Sequence, residues 1–81
     1  MMYKLFRNAE GKVFLDMSYD KQDIIDTLGS YIECFLTIDY SVYENKDGKD
    51  TKIADIKSID DYVNFKYSNP LKRERKIKWL Y

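Results

Sequence analysis

The sequence of 81 residues contains no histidine and a single cysteine, Cys34. Without histidine, a serine or cysteine nucleophile lacks its usual base, and one cysteine cannot complete a zinc site. A lone cysteine also cannot form an internal disulfide, which is typical of proteins of a reducing compartment. The composition therefore predicts a cytoplasmic protein that is not an enzyme and uses no metal or cofactor.

Glycine is scarce, and the sequence has no long apolar run. The positions Gly11, Gly29 and Gly48 are too far apart for either of the common glycine-rich phosphate loops. No apolar stretch approaches the roughly 18–20 residues of a membrane span, and the N-terminus lacks the apolar core of a signal peptide. We therefore expect no membrane association.

The residues that are present are typical of a small globular protein. Hydrophobic residues make up 44% and charged residues 35% of the chain. The length predicts one compact domain over residues 1–81. Basic and acidic residues number 14 each, but they are unevenly distributed. Residues 66–81 carry six basic residues and one acidic residue, whereas the first 65 residues carry a net charge of −5.

Two hairpins are predicted, the first from the strand-like segments Met2–Arg7 and Lys12–Met17. Gly11 supplies the positive φ that closes such a turn. The second hairpin joins Glu33–Tyr43, where apolar residues alternate over ten positions, to a return strand at about Thr51–Lys57. An Asp-Gly pair at positions 47 and 48 is a strong signal for its turn. Cys34 would then lie within a strand, on the buried apolar face.

Two helices follow the hairpins. Ser18 is the expected N-cap of a helix over Tyr19–Leu28, and Gly29 is expected to end it in the left-handed conformation. The second helix is predicted at about Ile59–Tyr67.

A capping box explains the acidic residues at the start of the second helix. Ser58 is its predicted N-cap, and Asp61 takes the position usually held by Glu or Gln. The adjacent carboxyl groups of Asp60 and Asp61 therefore have a structural explanation that needs no catalytic role.

The last segment, residues 70–81, is basic and its secondary structure is ambiguous. Its apolar residues scatter around a helical wheel but alternate with lysines in a strand, so the strand is favoured and the helix is the alternative. The whole order is then approximately ββαββαβ. It predicts an α+β fold in which a small antiparallel sheet carries both helices on one face.

Two charged surfaces are candidate binding sites for a partner. An acidic row on and before the first helix would complement a basic groove. Its members are Asp16, Asp20, Asp23 and Asp26. A basic aromatic tail would contact a protein partner, or the phosphates and unpaired bases of a nucleic acid. It comprises Lys72, Arg73, Arg75, Lys76, Lys78, Trp79 and Tyr81. The alternatives are a solvated helix face and a charged edge strand that resists aggregation.

The sequence predicts a non-catalytic protein-binding module. Residues with AT-rich codons are abundant, which suggests a phage or mobile element, and an inhibitor of a host protein fits that source. Anti-restriction and anti-CRISPR proteins are analogous in size and composition alone. Nucleic-acid binding through the tail is the alternative function. A homodimer through a free edge of the strand Glu33–Tyr43 is a further expectation.

Overall fold

A computed structural model of the protein describes residues 1–68. The strands are β1 (Met2–Arg7), β2 (Val13–Ser18), β3 (Tyr40–Lys46) and β4 (Lys49–Ile56), and the helices are α1 (Lys21–Cys34) and α2 (Ile59–Lys66). They form a four-stranded antiparallel sheet with two helices, which confirms the predicted α+β fold. The predicted last strand and the basic tail lie outside the described residues. Neither helix of residues 1–68 is long and apolar enough to cross a membrane.

The strand order is β2-β1-β3-β4, and each neighbouring pair is antiparallel. Within residues 1–68, β1 and β3 are therefore the central strands, and β2 and β4 are the edges. The free edge expected for the strand that contains Tyr43 is absent, because β3 pairs with β1 on one side and with β4 on the other. Dimerisation itself stays a prediction.

The turns of both hairpins form as predicted. Gly11 has a φ of 90° in the turn between β1 and β2. Asp47 and Gly48 have φ values of 55° and 79° between β3 and β4. Two successive residues with positive φ match the twist of the flanking strands, which is why an Asp-Gly pair favours this connection.

Both helices cover the same face of the sheet and form the core with it. Leu5 and Val42 pair across β1 and β3 and are fully buried. The buried core residues are Leu5, Ile24, Ile25, Leu28, Tyr40, Val42, Ile56 and Phe65. Each large aliphatic side chain buried in this way contributes about 1.5–3 kcal/mol. This single apolar layer therefore holds the two helices on the sheet.

The first helix is longer than predicted and begins later. Its N-cap is Asp20 and not Ser18, because an Asp20 carboxylate oxygen accepts a hydrogen bond of 2.9 Å from the Gln22 N–H group. Gly29 does not end the helix but lies within it. The following turn packs Tyr31 and Ile32 against the core, and this burial outweighs the weak tendency of one glycine to stop a helix.

The strand predicted over Glu33–Tyr43 begins only at Tyr40. The preceding residues complete α1 and the loop after it, so the apolar alternation extends beyond the real strand. Cys34 is consequently the last residue of α1 and is exposed, not buried within a strand. Leu36 is fully exposed in the loop. Packing of the last turn of α1 against the core favours helix over strand in this stretch. The apolar periodicity of the sequence alone does not reveal that packing.

The capping of α2 is confirmed. The Asp61 N–H group donates a hydrogen bond of 3.1 Å to the Ser58 hydroxyl. The Asp61 carboxylate in turn accepts a hydrogen bond of 2.9 Å from the Lys57 N–H group. Asp61 therefore performs the role predicted for it, although it reaches the residue before the N-cap and not the N-cap itself.

Candidate functional site

The second face of the sheet carries an aromatic cluster formed by three neighbouring strands. Phe6 on β1 lies at the centre, and its ring centroid is 5.6 Å from that of Phe14 on β2 and 5.4 Å from that of Tyr43 on β3. Both pairs are edge-to-face, the arrangement that the charge distribution of aromatic rings favours. The strand register places these three residues on the face of the sheet that the helices do not cover, whereas the buried Leu5 and Val42 lie on the other face.

We call this surface the open face. Its residues follow from the register of the four strands and from their alternation with the core residues. They are Met2, Lys4, Phe6, Phe14, Met17, Ser41, Tyr43, Asn45, Asp50, Lys52 and Asp55.

A β-bulge in β2 brings two of the exposed apolar side chains to the open face. Asp16 lies opposite Leu5 and Phe14 lies opposite Phe6, so Leu15 is the extra residue. Leu15 packs against the core. Phe14 and Met17 therefore lie on one face although they are three positions apart. Regular alternation would separate them, which is why this surface was not predicted from the sequence.

Lys12 lies over two rings of the cluster. Its Nζ atom is 4.6 Å from the ring centroid of Phe6 and 4.4 Å from that of Tyr43. The same atom donates a hydrogen bond of 3.4 Å to the Tyr43 hydroxyl. These distances define cation–π contacts, so Lys12 both holds the rings in place and adds a positive charge to the surface.

The apolar centre of the open face is accessible to a partner. Phe14 is 50% exposed and Met17 is 54% exposed. Phe6 and Tyr43 are half-buried beside them. Single exposed apolar residues are normal, but a contiguous group on an uncovered sheet is typical of an interaction surface.

Charged and polar residues border the apolar centre on the β4 side. The Lys4 Nζ atom lies 3.2 Å from an Asp50 carboxylate oxygen, and Asn45 donates a hydrogen bond of 2.6 Å to the same carboxylate. The Asn45 hydrogen bond, together with the hydrogen bond and charge of Lys4, lowers the pKa of the Asp50 carboxyl. The hydrogen bond to Asp55 raises the pKa of the Lys52 ammonium. This border therefore presents fixed charges of both signs.

The acidic row predicted from the sequence lies partly at the junction of β2 and α1. The Thr27 hydroxyl donates a hydrogen bond of 3.1 Å to the Asp16 carboxylate. The Ser18 hydroxyl donates one of 3.0 Å to the Asp23 carboxylate. Both acids thus join the edge strand to the helix.

The other two acidic residues serve the first turns of α1. Asp20 is the N-cap, and Asp26 accepts a hydrogen bond of 2.9 Å from the Gln22 side-chain amide. Helix capping and local hydrogen bonds therefore give the acidic row a structural role, and its binding of a partner stays a prediction. The candidate residues of the basic aromatic tail all lie outside the described residues. They are Lys72, Arg73, Arg75, Lys76, Lys78, Trp79 and Tyr81.

In the described part of the chain, no group of three or more side chains is placed to hold a metal ion. The open face presents side chains that can make non-covalent contacts. Its rings, methionines, cations and carboxylates are suited to burial against another surface. Comparisons with protein-family models, with curated proteins and with solved structures found no match for this chain.

Proposed function

We propose that this protein is a non-catalytic protein-binding module and that it binds its partner through the open face. The observation that carries the proposal is the position of Phe14 and Met17. They lie about half exposed beside the half-buried rings of Phe6 and Tyr43, on the side of the sheet that neither helix covers.

The arrangement has the anatomy of a protein interface. Such interfaces have an apolar core enriched in aromatic residues and methionine, surrounded by a polar rim. Phe6, Phe14 and Met17 form the core here, and the Lys4–Asp50 pair belongs to the rim. The rings are also held by one another and by Lys12, so little conformational freedom is lost when they are buried.

Charge favours a protein over a nucleic acid as the partner of residues 1–68. This part of the chain contains nine basic and thirteen acidic residues, a net charge of −4. Phosphate backbones require a positive surface. The ammonium group of Lys12 also occupies the space over two rings where a base would stack. Nucleic-acid binding through the basic aromatic tail is the alternative function.

We further infer that the partner is a protein of a host cell and that the chain acts in the cytoplasm as an inhibitor encoded by a phage or another mobile element. This inference is supported by the small size, the abundance of residues with AT-rich codons and the single cysteine.

Site-specific photocrosslinking in the source cells tests the proposal. A benzophenone amino acid replaces Phe14 in one variant and Ile59 in the other. Ile59 is equally exposed, at 52%, but lies on α2 on the opposite side of the sheet. We expect a discrete protein adduct from position 14 and none from position 59. Adducts with nucleic acid, or equal labelling from both positions, would contradict the proposal.

A further inference from the structure

The two edge strands of the sheet formed by residues 1–68 differ in charge. The only charged residue of β2 is Asp16, and its residues Val13, Phe14 and Met17 are each at least half exposed. Charged side chains on an edge strand hinder the pairing of another strand with it. By this criterion β4 is protected, whereas β2 is open to strand addition. The four charged residues of β4 are Lys49, Asp50, Lys52 and Asp55.

A β-bulge interrupts each of these edges, so the bulges do not distinguish them. Leu15 is the extra residue of β2, and Ile53 is the extra residue of β4. Residues 16–18 of β2 continue in regular register beyond the bulge. Within residues 1–68, β2 pairs only with β1. The backbone N–H and C=O groups along its outer side therefore form a template for another strand.

We propose that the partner adds a strand to this edge, through an extended segment in which large apolar residues alternate with lysine or arginine. The inference rests on the proposed function, because Phe14 and Met17 belong both to β2 and to the open face. It adds the mode of binding, in which main-chain hydrogen bonds give affinity and alternate side chains give specificity.

The open-face side of β2 determines the apolar half of this pattern. Phe14 lies opposite Phe6, and Met17 lies opposite Lys4, so both side chains share the face that the helices do not cover. Every second residue of an added strand would lie on that face beside them. Apolar and aromatic neighbours on adjacent strands stabilise each other. The partner segment therefore needs large apolar residues at alternate positions.

The helix side of β2 determines the charged half. Asp16 on β2 and Asp23 on α1 lie where the edge strand meets the helix. Their carboxylates accept hydrogen bonds from the hydroxyls of Thr27 and Ser18, which are neutral donors. The salt bridges formed among residues 1–68 involve neither acid. Basic residues at the intervening positions of an added strand would complement this charge.

These two contributions differ in strength. Exposed ion pairs are individually weak, so the basic residues mainly select the face that the segment turns toward the helices. Burial of the exposed apolar side chains and the main-chain hydrogen bonds supply most of the affinity. A segment with acidic residues at the same positions would meet like charges and bind less well.

A short synthetic peptide tests the proposal on the full-length protein. Its six residues match the length of β2, with lysine alternating with phenylalanine and both ends blocked. We expect it to protect from hydrogen exchange the β2 amides that do not bond to β1. The same peptide with glutamate in place of lysine should bind at least about fivefold more weakly.

Backbone methylation distinguishes strand addition from contact with the face alone. Successive residues of a strand direct their N–H groups to opposite edges, so either the phenylalanine or the lysine N–H groups face β2. One peptide carries N-methyl groups on every phenylalanine, and the other carries them on every lysine. One of the two should lose binding while the other keeps it. Equal binding by both would overturn the proposal.

A matched pair of variants tests the charge. Asp16→Asn removes the charge but keeps an acceptor for the Thr27 hydroxyl. It should weaken binding of the lysine peptide by about two- to fivefold. Asp60→Asn, at an exposed position on α2, is the control and should leave the affinity unchanged. Equal effects of the two substitutions would contradict the role of Asp16.

Three further results separate the failure of strand addition from the failure of the proposed function. No binding of the lysine peptide at millimolar concentration would overturn strand addition. Outer β2 amides that are already protected in the free protein would do so too, because the same chain or a second copy would then occupy the edge. An adduct from position 14 in which these amides stay unprotected would overturn strand addition and leave the proposed function standing.

Discussion

Gly29 on α1 and Tyr62 on α2 approach so closely that a Cβ atom at position 29 would lie 2.7 Å from the Tyr62 hydroxyl oxygen. Atoms at this distance overlap, so a side chain at position 29 requires the Tyr62 ring to shift. Glycine is therefore favoured here by the close approach of the two helices and not by a left-handed backbone.

This contact predicts a coupling between the two positions. Alanine favours a helix over glycine by about 1 kcal/mol, but in the wild-type protein the clash offsets that gain. Tyr62→Phe removes the clashing oxygen. Gly29→Ala should therefore stabilise the Tyr62→Phe protein by about 0.5–1 kcal/mol more than it stabilises the wild type. Urea unfolding of the four proteins measures the coupling, and equal effects of Gly29→Ala in both backgrounds would disprove the contact.

The buried hydroxyl of Tyr40 predicts a neutral or stabilising substitution. Tyr40 is fully buried, and its hydroxyl has no hydrogen-bond partner among the described residues. An unpaired buried polar group costs about 1–3 kcal/mol, so Tyr40→Phe should leave the free energy of unfolding unchanged or raise it. Tyr40→Ala should lower it by about 3–5 kcal/mol through the cavity that it creates. A loss above about 1 kcal/mol for Tyr40→Phe would reveal a hydrogen bond to that hydroxyl.

The polar border of the open face predicts two pKa changes. The Asn45 hydrogen bond and then the hydrogen bond and charge of Lys4 hold the pKa of Asp50 below its ordinary value of 3.8. Asn45→Ala and Lys4→Met should therefore each raise this pKa, as measured by an NMR titration of the carboxyl carbon. An unchanged pKa in either variant would show that the partner it removes does not stabilise the Asp50 carboxylate.

The same shift sets the direction of a pH effect on stability. Because the pKa of Asp50 is lower in the folded protein, its contribution to stability is present above pH 3.8 and is lost as the pH falls through the folded value. Asn45→Ala should weaken this dependence. The change that Asn45→Ala causes in the unfolding midpoint should thus be larger near neutral pH than near pH 2.

Local chemistry in the sequence was sufficient to predict much of the fold. The Asp47-Gly48 turn, the positive φ of Gly11 and the capping of α2 by Ser58 depend on residues that are adjacent or nearly so. Errors arose where tertiary packing decided the structure. The apolar alternation before Tyr40 is regular, yet packing of the last turn of α1 makes that stretch helix and loop.

The candidate site was harder to predict because it depends on strand register. Phe14 and Met17 share a face only because Leu15 is an extra residue in β2, and no local signal marks that bulge. Phe6 and Tyr43 are far apart in sequence and meet through the pairing of β1 with β3. The acidic row, in contrast, was visible in the sequence, and its hydrogen bonds add a structural role that was not predicted for Asp16 and Asp23.

Binding of the crosslinked partner by two matched variants tests the central claim most directly. Phe14→Ser and Ile59→Ser each remove an apolar side chain that is about half exposed, so neither should unfold the protein. If the open face is the interface, Phe14→Ser should weaken binding by at least about 10-fold, the loss expected for an aromatic anchor, while Ile59→Ser leaves it unchanged. Unchanged affinity for Phe14→Ser, in a protein shown by circular dichroism to be folded, would contradict the account.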